Sequence, residues 1–393
     1  MRRVVITGLA PVCVNGIGKD EFWKNLLDKK IFLKEVPPEY EKNYRFKSRF
    51  FVPKPELQHK DLNKTMEEMS KIAVVAARLA VEDAGIKDLE HAGIILGVGA
   101  SSLKTGFESY TAHVGGEGRY NRLVIPMLMP NSAAGWISIL LGIKGPCYTV
   151  NASCASGASA IGEAFLSIKN GRLDVALTGG AECLDDGYGA VMRGFDALTA
   201  LTTSSDGLPM PFSQKRSGFL FNMGAGCILV LEELERAKQR GANIYAEIVD
   251  YAANSDAYSI VQMPGDGSSV IKLFNMVKGV KIDYFNAHGT GTIQNDEIEA
   301  KIIKEVWGNN QPLINSTKGI IGHSIGASSA IEAVVAALSI KTGIVHGNVT
   351  LDVIDNLNLP QDSVEADIKY ALSASYGFGG HNTLLMFCRY EDG

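Results

Sequence analysis

Two stretches repeat one pattern: CASGASAIGEAFLSIKNG, Cys154 to Gly171, and HSIGASSAIEAVVAALSIKTG, His323 to Gly343. Laid over each other at their first residues, Gly157, Ala158, Ser159 and Glu163 fall on Gly326, Ala327, Ser328 and Glu332. A three-residue insertion then brings Ser167-Ile168-Lys169 onto Ser339-Ile340-Lys341. Each stretch follows a short strand-like run, Cys147 to Asn151 or Leu313 to Ser316, and opens a helix. Two Ala/Ser-rich helices can match by composition alone, but the shared strand-to-helix setting points to two duplicated α/β halves packed together. The most polar helix-to-turn passage near the middle is EELERAKQRG, Glu232 to Gly241. It sets the expected boundaries at 1–235 and 236–393.

Working outward, short runs rich in Val and Ile recur at Val4 to Thr7, Gly93 to Gly97, Asp174 to Thr178, Ile282 to Asn286 and Pro312 to Asn315. Each precedes a small-residue turn and a helical pattern, which predicts a parallel sheet covered by helices. Lys71 to Asp83, KIAVVAARLAVED, has apolar positions at helical spacing and ends at Gly85, a C-cap residue. The charged, aromatic segment from Lys29 to Leu62, with Pro37, Pro38, Pro53 and Pro55, reads as an irregular surface excursion. MRRVVITGLAPVCV resembles a signal peptide in outline. Gly8, Gly16 and Gly18 fit a first strand and a Gly-rich turn better. No window reaches the ~18 uninterrupted apolar residues that a bilayer span needs.

With 393 residues, 46% of them hydrophobic, the chain can close a large core without staples. Its net charge of -5 argues against a duplex-DNA binder, so any acidic partner must meet a local basic patch. The cysteines at 13, 147, 154, 183, 227 and 388 show no C-x-x-C pair and no metal-ligand spacing. A reducing, cytoplasmic setting and no metal are expected.

Cys154 stands between a strand-like run and a helix, among small residues that let the backbone turn sharply and a bulky acyl group approach. The helix start favours a thiolate there, although a cysteine among small residues is also a common packing residue. His288, in DYFNAHGTGTIQND, and His323, five residues after Lys318, fall at other strand-to-helix junctions. Ligands of parallel sheets bind beyond such carboxyl ends. If the halves are related by a pseudo-twofold axis, Cys154 and His323 occupy equivalent helix starts that face each other. A thiol, two imidazoles and a Lys–Glu pair suit acyl transfer through a thioester. SYGFGGHN, Ser375 to Asn382, reads as a hairpin turn, or as a loop whose N–H groups complete an oxyanion hole.

The motifs GPCYTVNASCASG, NAHGTGT, STKGIIGH and GFGGHN, in this order over nearly the whole chain, resemble the condensing enzymes of the thiolase superfamily. Within it they are similar to the elongating β-ketoacyl-[acyl-carrier-protein] synthases of the KAS II kind. The resemblance implies an α/β fold, a five-layer αβαβα sandwich of two halves. It implies that Cys154 takes the acyl chain and that His288 and His323 assist decarboxylation of a malonyl thioester, with Lys318 and Glu332 ordering the site. Backbone N–H groups of Cys154 and Phe378 would form the oxyanion hole, the Phe378 ring acting as a gate. Thr290 and Thr292 match threonines that bind the phosphopantetheine arm, and Arg216 matches an Arg that meets the acidic acyl carrier protein. No cofactor is implied for the enzyme itself, since substrates ride on the carrier's phosphopantetheine. The implied assembly is a homodimer, or a heterodimer with a chain-length partner.

Some residues depart from the family pattern. Asn222-Met223-Gly224-Ala225-Gly226 stands for the usual G-E-G-A-G, Tyr376 for a Phe, and His381 for a Thr. Thr105, Gly106 and Phe107 lie where the family lines its acyl pocket, with Tyr376 as a further lining residue. These departures fit a specialised polyketide or polyene ketosynthase as well as fatty-acid elongation. A thiolase would carry a second Cys in the C-terminal Gly-rich loop, where His381 stands, and a KAS III enzyme an Asn at His323. A non-catalytic chain-length partner generally lacks the nucleophilic Cys.

Overall fold

The computed structural model describes residues 2–57, 62, 65–101, 103–116 and 121–391. Residues 58–61 of the expected surface excursion, and Ser102 just ahead of the expected acyl-pocket residues, lie outside the described residues.

Ten strands carry the fold: β1 (Val4–Cys13), β2 (Gly93–Gly97), β3 (Cys147–Val150), β4 (Val175–Cys183), β5 (Gly224–Glu233), β6 (Ala246–Ser255), β7 (Tyr284–Asn286), β8 (Leu313–Asn315), β9 (Tyr370–Gly377) and β10 (His381–Cys388). The helices around them include α1 (Glu68–Ala84), α2 (Leu103–Val114), α3 (Ser132–Leu141), α4 (Ser156–Lys169), α5 (Ala190–Ala197), α6 (Leu234–Gln239), α7 (Ser268–Leu273), α8 (Ile293–Trp307) and α9 (Ser328–Thr342).

The strands pair in the order β8-β7-β9-β10-β6-β1-β5-β4-β2-β3. Read outward from the β1–β6 junction, each half runs first, fifth, fourth, second, third strand. The pairing directions also match: antiparallel, antiparallel, parallel, parallel in both halves. The sheet is therefore mixed, not parallel as the Val/Ile runs suggested. The difference comes from β5 and β10, which insert antiparallel between the first and fourth strands of each half. The halves meet where Val4, Val5 and Ile6 pair with Ile248, Glu247 and Ala246.

Alternation along the strands builds the layers. Leu229 and Leu231 of β5, and Leu385 and Phe387 of β10, face an inner core shared with α4 and α9. Ile228 and Val230 face α1 and α3 on one outer side. Leu384 and Met386 face α7 and α8 on the other. The result is the five-layer αβαβα sandwich. Helix α9 is buried at every residue from Ser328 to Ile340, as a helix between two sheets must be. Together with the turn before it, Ile325 to Thr342, it is long and apolar enough to cross a membrane by length and composition, and it lies in the innermost layer. α1 closes at Gly85 in the left-handed conformation, as its sequence predicts.

The two central helices fix the register of the repeat. Ser156 Oγ accepts from Ala152 N at 2.9 Å, and Ser328 Oγ accepts from Ser324 N at 2.9 Å. Each helix is entered through a residue with positive φ, Ser153 at 54° and Ile325 at 50°. Ser156 thus matches Ser328, and the match runs without insertion to Ser339-Ile340-Lys341. Cys154 corresponds to Gly326, not to His323. The sequence overlay slipped by three residues because Gly, Ala and Ser recur at several offsets in both helices.

Candidate active site

Cys154 lies in the single 3₁₀ turn Ser153–Ala155 that joins β3 to α4. The left-handed Ser153 lifts the next residue out of the strand line and toward a cavity of about 380 Å³. That cavity is lined by Cys154, His288, His323, Thr290, Tyr376 and Phe378, among others. The β9–β10 hairpin closes over the cysteine. A Cβ on Gly377 would lie 2.6 Å from Ala152 O and 3.1 Å from Cys154 N, so the loop backbone rests directly on the turn. SYGFGGHN is a hairpin turn, and the Phe378 backbone faces the sulfur.

The backbone N–H groups of Phe378 and Cys154 are directed at the thiol, with Ser153 Oγ 3.8 Å from Sγ. Burial nevertheless raises the thiol pKa; Ser153, Lys318 and the two N–H groups only offset it. The resting group is a neutral thiol, contrary to the thiolate expected from its helix start. Enclosure outweighs the helix dipole here.

His288 follows β7, and its backbone is held by a carboxylate: Glu299 accepts from His288 N and Gly289 N, each at 2.8 Å. Lys318 Nζ donates to His288 O at 2.9 Å and lies 3.3 Å from His288 Nδ1. It also pairs with Glu332 Oε1 from α9, both side chains being essentially inaccessible. Burial pushes Glu332 up to about 7 against the pull of Lys318. His323 Nδ1 is 2.9 Å from Ser328 Oγ, whose lone pair already receives Ser324 N. The two imidazoles stand 5.7 Å apart at 88°.

Burial, reinforced by the Lys318 charge, holds both histidines well below the ordinary imidazole pKa. Each is neutral, so each ring has one N–H. An ammonium can only donate, which makes His288 Nδ1 the acceptor and puts the proton on Nε2. The Ser328 hydroxyl accepts from Ser324 N and can donate either to Ser324 Oγ or to His323 Nδ1; the second arrangement puts the His323 proton on Nε2 as well. Two Nε2–H donors then converge on one cavity.

Other residues anticipated from sequence fall as follows. Thr290 and Thr292 line the cavity with their hydroxyls 2.9 Å apart. The Tyr376 ring lies 5.3 Å from that of His288, with its hydroxyl buried and unpartnered among the described residues. Thr105, Gly106 and Phe107 do not line the cavity; they belong to α2, where a Cβ on Gly106 would face Leu128 at 3.3 Å. Arg216 is not a free surface cation. Its guanidinium donates to Ser213 O at 2.9 Å and Ile293 O at 2.8 Å, and its side chain is 9% exposed. Met223 packs in an apolar cluster with Cys154, Ile325, Phe221 and Leu184. Nearby, Glu182 binds the N–H groups of Gly99, Ala100 and Gly326 at 2.9 to 3.1 Å.

Several site residues escaped the sequence reading. Phe195 lies 6.4 Å from Phe378, and Phe219 packs edge-on to His323 at 5.2 Å. Asp296 accepts from Phe212 N at 2.7 Å and, with Glu299, ties down the loop after His288. Their signal was available: two carboxylates three apart at a helix start, directly after Gly-Thr-Gly-Thr, serve as caps for loop N–H groups.

The β-ketoacyl synthase N-terminal domain model matches residues 1–237, and the C-terminal domain model matches residues 245–352. The chain is 37% identical to 3-oxoacyl-[acyl-carrier-protein] synthase 2 of Staphylococcus aureus (strain COL), over 99% of each protein. A β-ketoacyl synthase from Burkholderia phymatum STM815 superposes with a TM-score of 0.90 at 31% identity, covering 100% of both chains. A chain of the AntDE:AntF assembly, a type II PKS acyl-carrier protein in complex with its ketosynthase bound to the hexaketide, gives 0.89 at 30% identity, covering 99% of this chain and 100% of that one. The duplicated topology, the thiol between two backbone donors and the paired imidazoles agree with these matches: the chain belongs to the β-ketoacyl synthase family.

Proposed function

We propose that this chain is an elongating 3-oxoacyl-[acyl-carrier-protein] synthase, joining an acyl group on Cys154 to two carbons from malonyl-carrier protein. One observation carries the reading: the thiol faces the Phe378 N–H in the cavity that holds His288 and His323, 5.7 Å apart. In the first half-reaction Cys154 Sγ attacks the acyl thioester carbonyl. The oxyanion is received by the N–H groups of Cys154 and Phe378, and the thiol proton leaves with the carrier's thiol.

In the second half-reaction the bond between the malonyl carboxylate and its neighbouring carbon breaks. CO2 leaves and the electron pair becomes an enolate. Its oxygen accepts from the two Nε2–H donors, which are stabilising because the rings are neutral and need not be charged first. The enolate carbon attacks the Cys154 thioester, the same backbone pair holds the oxyanion, and Cys154 departs and recovers one proton from solvent. Lys318 and Glu332 keep His288 oriented and in its tautomer, Thr290 and Thr292 hold the phosphopantetheine arm, and Phe378 gates the acyl side.

In this reading the N-terminal half, residues 1–235, supplies the nucleophile, and the C-terminal half, 236–393, supplies the histidines and the hairpin. The exposed edge strand β3 and the apolar side chains Tyr110, Ile125, Ile139 and Tyr148 offer a seat for a second copy or a chain-length partner. The product enters fatty-acid or type II polyketide/polyene elongation, in a reducing cytoplasm that keeps Cys154 a thiol. A non-catalytic partner role is disfavoured because the thiol and both imidazoles are assembled. The test is intact mass spectrometry after mixing with acyl-carrier proteins. Wild type gains the acyl mass, while Cys154→Ala gains none and condenses nothing; elongation by the variant at the wild-type rate would sink the proposal.

A further inference from the structure

With Arg216 committed to internal carbonyls, an acidic carrier has to meet other cations. From Lys42 to Arg49 the chain reads KNYRFKSR, four cations in eight residues, within a protein of net charge -5. The segment alternates: Arg45, Lys47 and Arg49 are exposed, while Phe46 and Ser48 are buried. Elsewhere cations such as Lys19, Lys54, Lys144 and Lys304 are paired with carboxylates while, among the described residues, Lys24, Lys87 and Lys272 are not, so the strip is set apart by its four cations in eight residues. Here, among the described residues, only Arg49 is paired, with Glu41 at 2.9 Å. Arg45, Lys47 and Lys42 have no carboxylate partner among the described residues. A depression bounded by Glu41, Arg45, Phe46, Lys47 and Arg49 lies in the strip itself, three cations to one carboxylate.

The strip is bolted to the wall of the active site. Asp196 of α5, 1% exposed, accepts from Tyr44 Oη at 2.7 Å, Lys47 N at 3.1 Å and Ser48 N at 2.9 Å. Arg193, one turn earlier, lays its guanidinium over Tyr44 at 4.7 Å and adds a further exposed cation with no carboxylate partner among the described residues. The residue next to Asp196 is Phe195, which lines the catalytic cavity, as do the exposed Leu198 and Thr199 at the end of the helix. Helix α5 has 8 residues, so it is about 12 Å long, shorter than an extended phosphopantetheine arm.

We infer that Arg45, Lys47, Arg49 and Arg193 form the docking surface for the acidic acyl carrier protein, placing its arm over the cavity mouth beside Leu198 and Thr199. This rests on the condensing-enzyme reading above. Charge complementarity selects the occupant. Unpaired surface cations in an otherwise acidic chain raise the encounter rate with an acidic protein and lose that effect as salt screens them. Their rigid attachment to α5 sets the distance between carrier and cavity.

The experiment compares wild type with the triple variant Arg45→Glu, Lys47→Glu, Arg193→Glu at low salt. Two donors are used: acyl-carrier protein, and the same acyl group as a carrier-free pantetheine thioester. KM for the carrier-borne substrate should rise about tenfold or more, with kcat changed less than about twofold and the rise shrinking at high salt. Cys154 acylation by the carrier-free thioester should be unchanged, which also shows that the variant is folded. An unchanged KM for carrier at low salt overturns the assignment, and so does an equal loss with the carrier-free donor. Wild type that acylates from neither donor overturns the condensing-enzyme reading and this surface with it.

Discussion

Substituting Gly377 by Ala separates the two oxyanion sites from each other. Gly377 has no positive φ, so an alanine there meets only a steric obstacle. Its Cβ would lie 2.6 Å from Ala152 O and 3.1 Å from Cys154 N, both backbone atoms that cannot swing aside. Restoring an ordinary contact of 3.4 Å takes a shift of about 0.8 Å in the hairpin. A Phe378 N–H that donates at about 2.9 Å then sits near 3.7 Å, outside hydrogen-bond range. Losing one oxyanion donor costs about 2.7–4 kcal/mol, a factor of ~10²–10³ in rate. Rapid-quench mass spectrometry should show Cys154 acylation slowed by that factor. Release of CO2 from malonyl-carrier protein, assigned to the histidine pair in the proposed mechanism, should stay within about threefold of wild type. A folded variant that acylates at the wild-type rate would refute the role given to Phe378, and equal losses in both half-reactions would refute the separation of the sites.

Replacing the buried pair together, Lys318→Met with Glu332→Leu, removes the cation that disfavours imidazolium at both histidines. Their pKa values should rise, so the acid limb of kcat/KM moves up toward pH 6.5; a limb that stays put or moves down contradicts the argument. Ser328→Ala takes away the His323 Nδ1 partner and leaves Ser324 N unsatisfied. Decarboxylation should fall about tenfold and stability by about 1–3 kcal/mol, read from CO2 release and urea melts. Arg216→Ala should lower stability by about 1–3 kcal/mol through the freed Ser213 and Ile293 carbonyls, and leave KM for carrier protein unchanged. A raised KM with unaltered stability would return Arg216 to the surface role.

The duplicated architecture and the central chemistry were legible because they are written in local patterns. A strand, a small-residue turn and a helix announce Cys154, and Gly-Thr repeats announce His288. The register of the repeat was not, since Gly, Ala and Ser satisfy a helix start at several offsets; only the matched hydroxyl caps of Ser156 and Ser328 resolve it. The thiol's protonation state was misjudged because a helix start is visible in sequence and enclosure is not. Arg216 has a surface residue's composition but lies in a turn whose carbonyls capture it. Thr105 to Phe107 lie in α2, outside the lining of the cavity at Cys154, and α2 is placed by packing that no short motif encodes.

The twin helix entries have one more consequence. At the position matching Cys154, Gly326, an added Cβ would meet Gly99 N at 2.4 Å and Glu182 Oε2 at 2.8 Å. The room that opens on the cavity at Cys154 is filled at the other entry by a loop and its carboxylate clamp. A chain built as two copies of one fold thus keeps a single reaction centre and converts the second copy of the turn into scaffold. Substitutions on the two sides carry different penalties: at Cys154 they cost turnover, and at Gly326 they cost the fold.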